Sequence, residues 1–102
     1  MNAGEYGLVI NFDAQYDVSG NTSLALLFTR ADQTTFTVTN PLVAIGTTPV
    51  STALGQFAAN QYVKYTTANG DLTVPGMYSV RLIYTDTTKK LYSLPVRFQV
   101  QP

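Results

Sequence analysis

The side chains that could carry acid–base or metal chemistry are six carboxylates, because the chain has no histidine and no cysteine. Histidine is the usual general base, and a cysteine thiolate is a common nucleophile and metal ligand. The chain therefore has no side chain for histidine-based general-base catalysis or for thiolate chemistry. An aspartate in a turn accepts hydrogen bonds from nearby backbone amides. All the carboxylates except Glu5 fall in predicted turns, which favours this role over a catalytic pair, and we expect no enzymatic activity. They are Glu5, Asp13, Asp17, Asp32, Asp71 and Asp86.

Other catalytic and cofactor sites are also poorly supported by the residues present. Asp13 and Asp17 could offer oxygen ligands to calcium, but their segment lacks the glycine and glutamate of a dedicated calcium loop. The serines have no histidine to activate them, and no Gly-x-Ser-x-Gly sequence occurs. Gly4, Gly7 and Gly70 precede no predicted helix, so no phosphate-binding loop is indicated. We therefore expect no metal and no cofactor.

The aromatic residues favour binding over catalysis. The chain has seven tyrosines and no tryptophan, and five of the tyrosines exceed what one small core needs: Tyr16, Tyr62, Tyr65, Tyr84 and Tyr92. Tyrosine is enriched in protein interfaces because it offers a large contact area and a polar tip at little entropic cost. The same residues could form a platform for a sugar, or could lie at sheet rims with their hydroxyls in water. The interface candidates are Tyr62, Tyr65, Phe57, Tyr92 and Pro95.

Pro95 indicates an irregularity in the last predicted strand. Proline cannot donate to a strand ladder, so its strand is predicted to lie at a sheet edge or to be bulged there. An edge can accept a strand from a neighbouring subunit. Lys89, Lys90 and Arg97 lie nearby, and a simpler interpretation is that they guard this edge against such pairing.

The elements that position these residues are strands. Between Met77 and Tyr84 apolar and polar positions alternate with the period of two that is typical of a half-buried strand. A polar turn at residues 86–89 comes next, and a second alternating segment then predicts an antiparallel hairpin. The inward faces are predicted to carry Tyr78, Val80, Leu82 and Tyr84 in the first strand, and Leu94, Val96, Phe98 and Val100 in the second.

Of five further segments, four are predicted to be strands and one is predicted to be irregular. Glu5–Phe12 alternates with Tyr6, Leu8, Ile10 and Phe12 on one face. Ser23–Thr29 and Thr34–Thr39 form a second predicted hairpin. Gln61–Thr67 is also extended, with either Val63 and Tyr65 or Tyr62 and Lys64 facing inward. Asn40–Asn60 is irregular, with short extended pieces allowed at Leu42–Ile45 and Val50–Thr52.

Length and composition set the fold class. A chain of 102 residues is expected to form one domain, spanning residues 1–102. About seven short strands at spacings near ten residues predict an all-β antiparallel sandwich, with a small OB-like or SH3-like barrel as the alternative.

Six acidic and six basic residues balance, so no binding to nucleic acid is expected. If Met1 is the natural start, the lack of a signal sequence or apolar span predicts cytoplasmic synthesis and no membrane association.

One segment carries a family resemblance. Residues 72–80, Leu-Thr-Val-Pro-Gly-Met-Tyr-Ser-Val, resemble the corner of immunoglobulin-like domains, where a tyrosine hydroxyl bonds back to the backbone. Tyr78 matches that tyrosine, and Val80 stands where antibody domains have a cysteine. More broadly, the order of segments Asp17–Gly20, Leu24–Thr29, Thr35–Val38 and Gly76–Tyr84 resembles small immunoglobulin-like modules of tailed-bacteriophage virions.

The resemblance implies a structural function. Modules of that class act as adaptors, decoration proteins or fibre-attachment domains, so the expected localisation is the virion, after synthesis in the host cytoplasm. The expected partners are other virion structural proteins, with this chain present as a homo-oligomer or in multiple copies on tail, baseplate or capsid. A carbohydrate-binding module for host recognition, using Tyr62 and Tyr65, is the alternative.

Overall fold

The computed structural model describes residues 1–52 and 55–102, and all of the regular structure in these ranges is β-strand. Every strand pair is antiparallel. No helix of the length and apolar character needed to cross a bilayer occurs in these ranges. The strands are β1 (Val9–Asp13), β2 (Ser23–Thr29), β3 (Thr35–Thr39), β4 (Ala44–Ile45), β5 (Val50–Thr52), β6 (Gly55–Phe57), β7 (Tyr62–Thr66), β8 (Gly76–Thr85), β9 (Lys90–Tyr92) and β10 (Val96–Val100).

Two sheets share most of the core. The smaller sheet has the order β1-β7-β4, and the larger has the order β10-β8-β2-β3, with β9 also paired to β8; β5 and β6 form a separate hairpin. Buried side chains from both sheets pack in one cluster, as expected for a β-sandwich. That cluster contains Phe12, Ala14, Val18, Leu24, Leu26, Phe28, Val43, Val63, Tyr65, Val80, Leu82 and Tyr84. The all-β antiparallel fold is confirmed.

The two central strands match the sequence prediction closely. Strand β2 has the predicted bounds, and its predicted inward residues Leu24, Leu26 and Phe28 are fully buried. Strand β8 buries its predicted set from Tyr78 to Tyr84 at every second residue. These strands lie side by side in the larger sheet, with Leu26 opposite Leu82. The period-two pattern is clear here because one face of each strand lies entirely against the core.

The chain termini depart from the predictions. The first strand begins at Val9 rather than Glu5, and Tyr6 is 61% exposed instead of facing the core. Gly7 has a positive φ of 80°, a conformation that breaks the extended strand there. Leu94, predicted to face inward, is 86% exposed because an extra residue lies between β9 and β10. Val96 lies opposite the buried Val80, on the predicted face, but remains exposed.

The described part of the irregular segment from residue 40 to residue 60 holds three very short strands. The predicted extended piece at Val50–Thr52 is β5, and the one at Leu42–Ile45 shortens to β4. Strand β6 was not predicted. Ala53 and Leu54, which belong to this segment, lie outside the described residues.

Strand β7 buries more residues than either predicted register allowed. Val63 and Tyr65 face the core, and Lys64 is exposed, so the first of the two registers is the observed one. Tyr62 is nevertheless buried too, because its ring packs against Gly46 and Phe57 of the preceding segment. A Cβ at Gly46 would overlap the Tyr62 ring. The irregular segment therefore covers the outer face of β7.

Candidate functional site

The aspartates form turns, as the sequence predicts. In four turns a carboxylate oxygen accepts a hydrogen bond from the backbone amide two residues further on. The bonds run from Gln15 N to Asp13 Oδ1 (3.0 Å), from Ser19 N to Asp17 Oδ1 (2.8 Å), from Thr34 N to Asp32 Oδ1 (3.1 Å) and from Thr88 N to Asp86 Oδ1 (2.7 Å). Residues 1–52 and 55–102 contain no group of three or more possible metal-ligating side chains of the Asp, Glu, His or Cys type.

The strongest of these turns is at Asp86, between β8 and β9. Thr88 and Lys89 donate backbone N–H bonds to its Oδ1, and the Tyr84 hydroxyl donates to its Oδ2 at 2.9 Å. The backbone bond from Thr88 is the largest cause that lowers the pKa of Asp86 to about 2. This carboxylate stays charged at neutral pH, and its lone pairs are occupied by the turn, as expected of a structural rather than a catalytic group.

Three of the predicted interface residues lie in the interior. Tyr62, Tyr65 and Phe57 are all at least 94% buried, so their rings do not form an exposed platform, and this expectation is corrected. The Tyr62 hydroxyl donates to Thr48 O at 2.7 Å. The Tyr65 hydroxyl donates to Asp71 Oδ2, and burial is the largest cause that raises the pKa of Tyr65 to about 12. The sugar-binding alternative therefore loses the two rings on which it depended.

The other two candidates, Tyr92 and Pro95, lie at an irregular sheet edge. Ile83 is opposite Tyr92, and Val80 is opposite Val96. The three-residue step from Ile83 to Val80 in β8 is therefore matched by a four-residue step from Tyr92 to Val96 at the edge, which has one extra residue. Ser93 fills the gap: its N–H donates to Leu82 O, and its Oγ accepts from Leu82 N, both at 2.9 Å. A side chain thus replaces a backbone carbonyl in the ladder, and Leu94 and Pro95 bulge out.

This bulge presents apolar side chains to solvent. We call residues 91–96 the bulged edge. Leu94 at 86% and Tyr92 at 57% exposure are its most accessible large side chains, and Leu91 and Val96 are also exposed. An apolar cluster rather than a single exposed apolar residue is the surface feature that indicates a binding site.

A groove of about 400 Å³ lies beside the bulged edge. One wall is Ser93–Val96, and the other is Phe12–Tyr16, which continues from β1. Both β1 and the β9–β10 segment are edges of their sheets, so the groove lies at an open side of the two-layer structure. Its volume falls within the lower range of binding pockets.

Tyr16, which lines the groove, has a buried polar group for which the described part of the chain supplies no partner. Its hydroxyl oxygen is buried and has no hydrogen-bond partner among the described residues. Its ring packs edge-on against Tyr84, with the ring centres 5.7 Å apart, and burial raises the pKa of its hydroxyl. A buried hydroxyl without a partner costs about 1–3 kcal/mol.

Two smaller grooves line the outer face of the larger sheet. One of about 240 Å³ lies next to Pro95, and one of about 270 Å³ is lined by Arg30 and Arg97. Neither is lined by a carboxylate, so neither pairs a base with an acid.

The sequence analysis identified Pro95 and Tyr92 but missed Leu94 and Tyr16 as parts of the same site. The available signal was the Ser-Leu-Pro sequence at 93–95, in which a serine able to replace a carbonyl precedes an exposed leucine. No family model, curated protein or solved structure matches this chain.

Proposed function

We propose that this chain is a non-enzymatic structural module of a tailed-bacteriophage particle. It docks on tail, baseplate or capsid as an adaptor or decoration protein, through the groove between β1 and the bulged edge. The observation that carries the docking part of this proposal is the exposed Leu94–Pro95 bulge beside an apolar groove.

The phage assignment depends on an immunoglobulin-like topology, which the strand order supports. Immunoglobulin-like domains place strands B, E and D in one sheet and strands G, F and C, with C′ where present, in the other. If β8 is strand F, the observed orders β1-β7-β4 and β10-β8-β2-β3 become B-E-D and G-F-C-C′. The parallel bridge between Asn2 and Gln101 then corresponds to a short first strand beside G.

The corner at the start of β8 also supports this topology. The Tyr78 hydroxyl donates to Val74 O at 2.7 Å and accepts from Val74 N at 3.2 Å. This is the bond back to the upstream backbone that a tyrosine corner makes. Val80, at the position of the antibody cysteine, is buried among apolar side chains. Apolar packing there replaces a disulfide.

The groove lies where this topology has room for one more strand. In immunoglobulin-like domains strand A pairs with B at that side of the sandwich. Here the chain before β1 bonds instead near Gln101 and Leu72, and leaves β1 paired only with β7. The backbone amides of Val9, Asn11 and Asp13 face away from β7, because Ala14 N bonds to Gln61 O and ladder bonds alternate.

An extended segment of a partner protein fits this groove. It would pair with the free side of β1 and place apolar side chains between Phe12 and Leu94. Strand addition of this kind draws affinity from backbone bonds and specificity from side-chain pockets. The low charge of the chain, with 12% of its residues charged and a net charge of zero, leaves little repulsion against a close neighbour.

The test uses phage particles assembled without this protein. Purified protein is added, and its co-sedimentation with the particles is measured for the wild type and two variants. Leu94→Asp in the groove should abolish binding, whereas Leu42→Asp, at another exposed leucine, should bind like the wild type. Circular dichroism checks that both variants fold. Failure of the wild type to bind, or equal binding by both variants, would contradict the proposal.

A further inference from the structure

We propose that Asn69 is a site of spontaneous covalent modification, at which the side-chain amide is lost through a cyclic imide formed with the backbone nitrogen of Gly70. Hydrolysis of that imide leaves aspartate or isoaspartate at position 69. Neither residue lines the groove beside the bulged edge. The modification therefore goes beyond the proposed docking function, and either can fail without the other.

The reaction needs only the chain and water. A base in solution removes the proton of the Gly70 N–H, and the nitrogen attacks Cγ of the Asn69 side chain. The new C–N bond closes a five-membered ring, the bond from Cγ to Nδ2 breaks, and ammonia leaves. Water then opens the ring. Opening at Cγ restores the normal peptide bond beside a new aspartate carboxylate, whereas opening at the main-chain carbonyl carbon leaves the backbone running through Cβ and Cγ, as isoaspartate.

The sequence allows this ring closure at one asparagine. The chain has six asparagines, and Asn69 is the one that precedes a glycine. Glycine has no Cβ to shield its nitrogen, and its backbone adopts a wide range of angles. A Cβ added at Gly70 would meet no atom within 4 Å beyond its chain neighbours, so the space around this residue is open to water.

The turn between β7 and β8 exposes both reacting groups. Asp71 N donates to Ala68 O at 3.1 Å and closes a four-residue turn, in which Asn69 and Gly70 are the central residues. Gly70 has a positive φ of 100°, which suits the third position of such a turn. Both central residues are exposed, and neither the Asn69 side chain nor the Gly70 N–H has a hydrogen bond within the described ranges. The attacking nitrogen and the amide it attacks are therefore adjacent and unrestrained by other bonds.

The other five asparagines lack a free attacking nitrogen. Asn40 precedes Pro41, whose nitrogen has no proton to lose. Asn11 precedes Phe12, whose N–H faces β7 as that of Ala14 does, and so belongs to the ladder. At the remaining three, the N–H of the next residue is already hydrogen-bonded. These bonds run from Ala3 N to Gln101 O (2.7 Å), from Thr22 N to Thr85 O (2.8 Å) and from Gln61 N to Ala58 O (3.1 Å).

Isoaspartate would change the contacts that this turn makes. Arg30 donates from Nε to Asp71 O at 3.1 Å and from Nη2 to Gly70 O at 3.4 Å. Its guanidinium also lies 4.4 Å from the ring centre of Phe36. Isoaspartate lengthens the backbone before Gly70 by one carbon, so the turn no longer presents both carbonyls to Arg30 in this geometry. Aspartate at the same position adds the same charge and leaves the backbone unchanged.

Peptide mapping by mass spectrometry tests the site. Purified protein is kept folded in mildly alkaline buffer for days, and each asparagine-containing peptide is compared with the starting material. We expect the mass to rise, by the difference between a hydroxyl and an amino group, in the Asn69 peptide alone. Enzymatic methylation specific for isoaspartate should label the same peptide, because direct hydrolysis of the amide gives only aspartate. Asn69→Gln, which would need a larger ring, should stay unmodified on this timescale, and Asn2→Gln should behave like the wild type.

Three results would overturn the proposed site. They are an unchanged Asn69 peptide in the folded protein, an equal mass change at another asparagine, and a product that contains aspartate without isoaspartate. Circular dichroism checks that the variants fold.

A second measurement tests the effect on Arg30. Chromatography isolates the isoaspartate form, and the urea midpoint of its unfolding is compared with that of Asn69→Asp. We expect a lower midpoint for the isoaspartate form. Equal midpoints would show that the contacts of Arg30 do not depend on the backbone of this turn.

Discussion

The two edges of the larger sheet begin in the same way and end differently. Strand β3 comes after an Asp-x-Thr turn at Asp32–Thr34, and β9 comes after one at Asp86–Thr88; in both, the carboxylate accepts the threonine N–H and hydroxyl bonds. After its turn β3 runs straight along β2. The other edge is interrupted at Ser93–Pro95 and carries one lysine, Lys90, in β9 and one arginine, Arg97, in β10.

The difference shows that the hydrogen bonds of the preceding turn do not decide whether an edge strand is regular or bulged. The turn fixes where the strand begins and its register. The residues of the strand itself decide whether the edge stays regular and open or is bulged and charged. At β3 the backbone is the exposed bonding surface, whereas at the bulged edge apolar side chains are. This contrast can be tested at four positions, from the largest expected effect to the smallest.

The largest effect should come from the inner face of β3. Phe36 stacks on Phe28 with ring centres 4.6 Å apart, and the Arg30 guanidinium lies 4.4 Å from its ring centre. We expect Phe36→Ala to lower the free energy of unfolding by about 3 kcal/mol, measured by urea denaturation. Tyr92→Ala, on the largely exposed β9, should cost under about 1 kcal/mol. Equal costs at the two edges would contradict the contrast.

The bulged edge should depend on one side-chain oxygen. Ser93→Ala leaves the backbone N–H of Leu82 without its acceptor inside the sheet. An unsatisfied buried donor should cost about 2 kcal/mol in the free energy of unfolding. Ser51→Ala, in the short strand β5, is the control and should change stability by less than about 0.5 kcal/mol. If the two serine variants match, Ser93 does not hold the bulge.

Acid should weaken the turn before β9 more than the turn before β3. The pKa of Asp86 is lowered from 3.8 to about 2, chiefly by the Thr88 amide, so its stabilising contribution is complete above pH 4 and is lost as the pH falls toward 2. The pKa of Asp32 is also lowered, chiefly by the Thr34 hydroxyl bond.

Denaturation at pH 5 and at pH 2 measures this acid dependence. We expect Asp86→Asn to flatten the loss of stability between these two pH values more than Asp32→Asn does, since the Asp86 carboxylate accepts more bonds. Two variants with identical pH dependence would show that the turns are equivalent in strength.

The smallest effect should be at Pro95. Its ring lies in the unpaired part of the bulge, so Pro95→Ala removes no ladder bond. We expect the free energy of unfolding to change by less than about 0.5 kcal/mol. A loss above about 1 kcal/mol would mean that the proline itself, rather than Ser93, sets the bulge.

Much of the fold could be predicted from alternation where one face of a strand lies wholly against the core. Strands β2 and β8 were predicted with their inward faces correct, because each has one face wholly against the core. Alternation alone did not predict which residues of strand β7 are buried. Tyr62 and Val63 are adjacent and both buried, since the irregular segment covers the second face. Nothing in the sequence pattern of residues 62–66 indicates that Gly46 packs against the ring of Tyr62.

The candidate site was only partly predictable for a similar reason. Pro95 is visible in the sequence because its missing N–H is a local chemical fact. The exposure of Leu94 depends on the bond between Ser93 and Leu82, which joins the β9–β10 connection to β8. The predicted tyrosines were buried instead, because their hydroxyls found partners in Thr48 and Asp71.

By itself, the sequence determined the all-β fold, the turn role of the aspartates and the corner bond of Tyr78. Each of these depends on residues close together in the chain: a period of two, an amide two residues away, a carbonyl four residues back. Only the tertiary structure decided which tyrosines are buried, which edge is open and where the groove lies. Those features arise where distant segments meet, so their energies depend on neighbours that the local sequence does not contain.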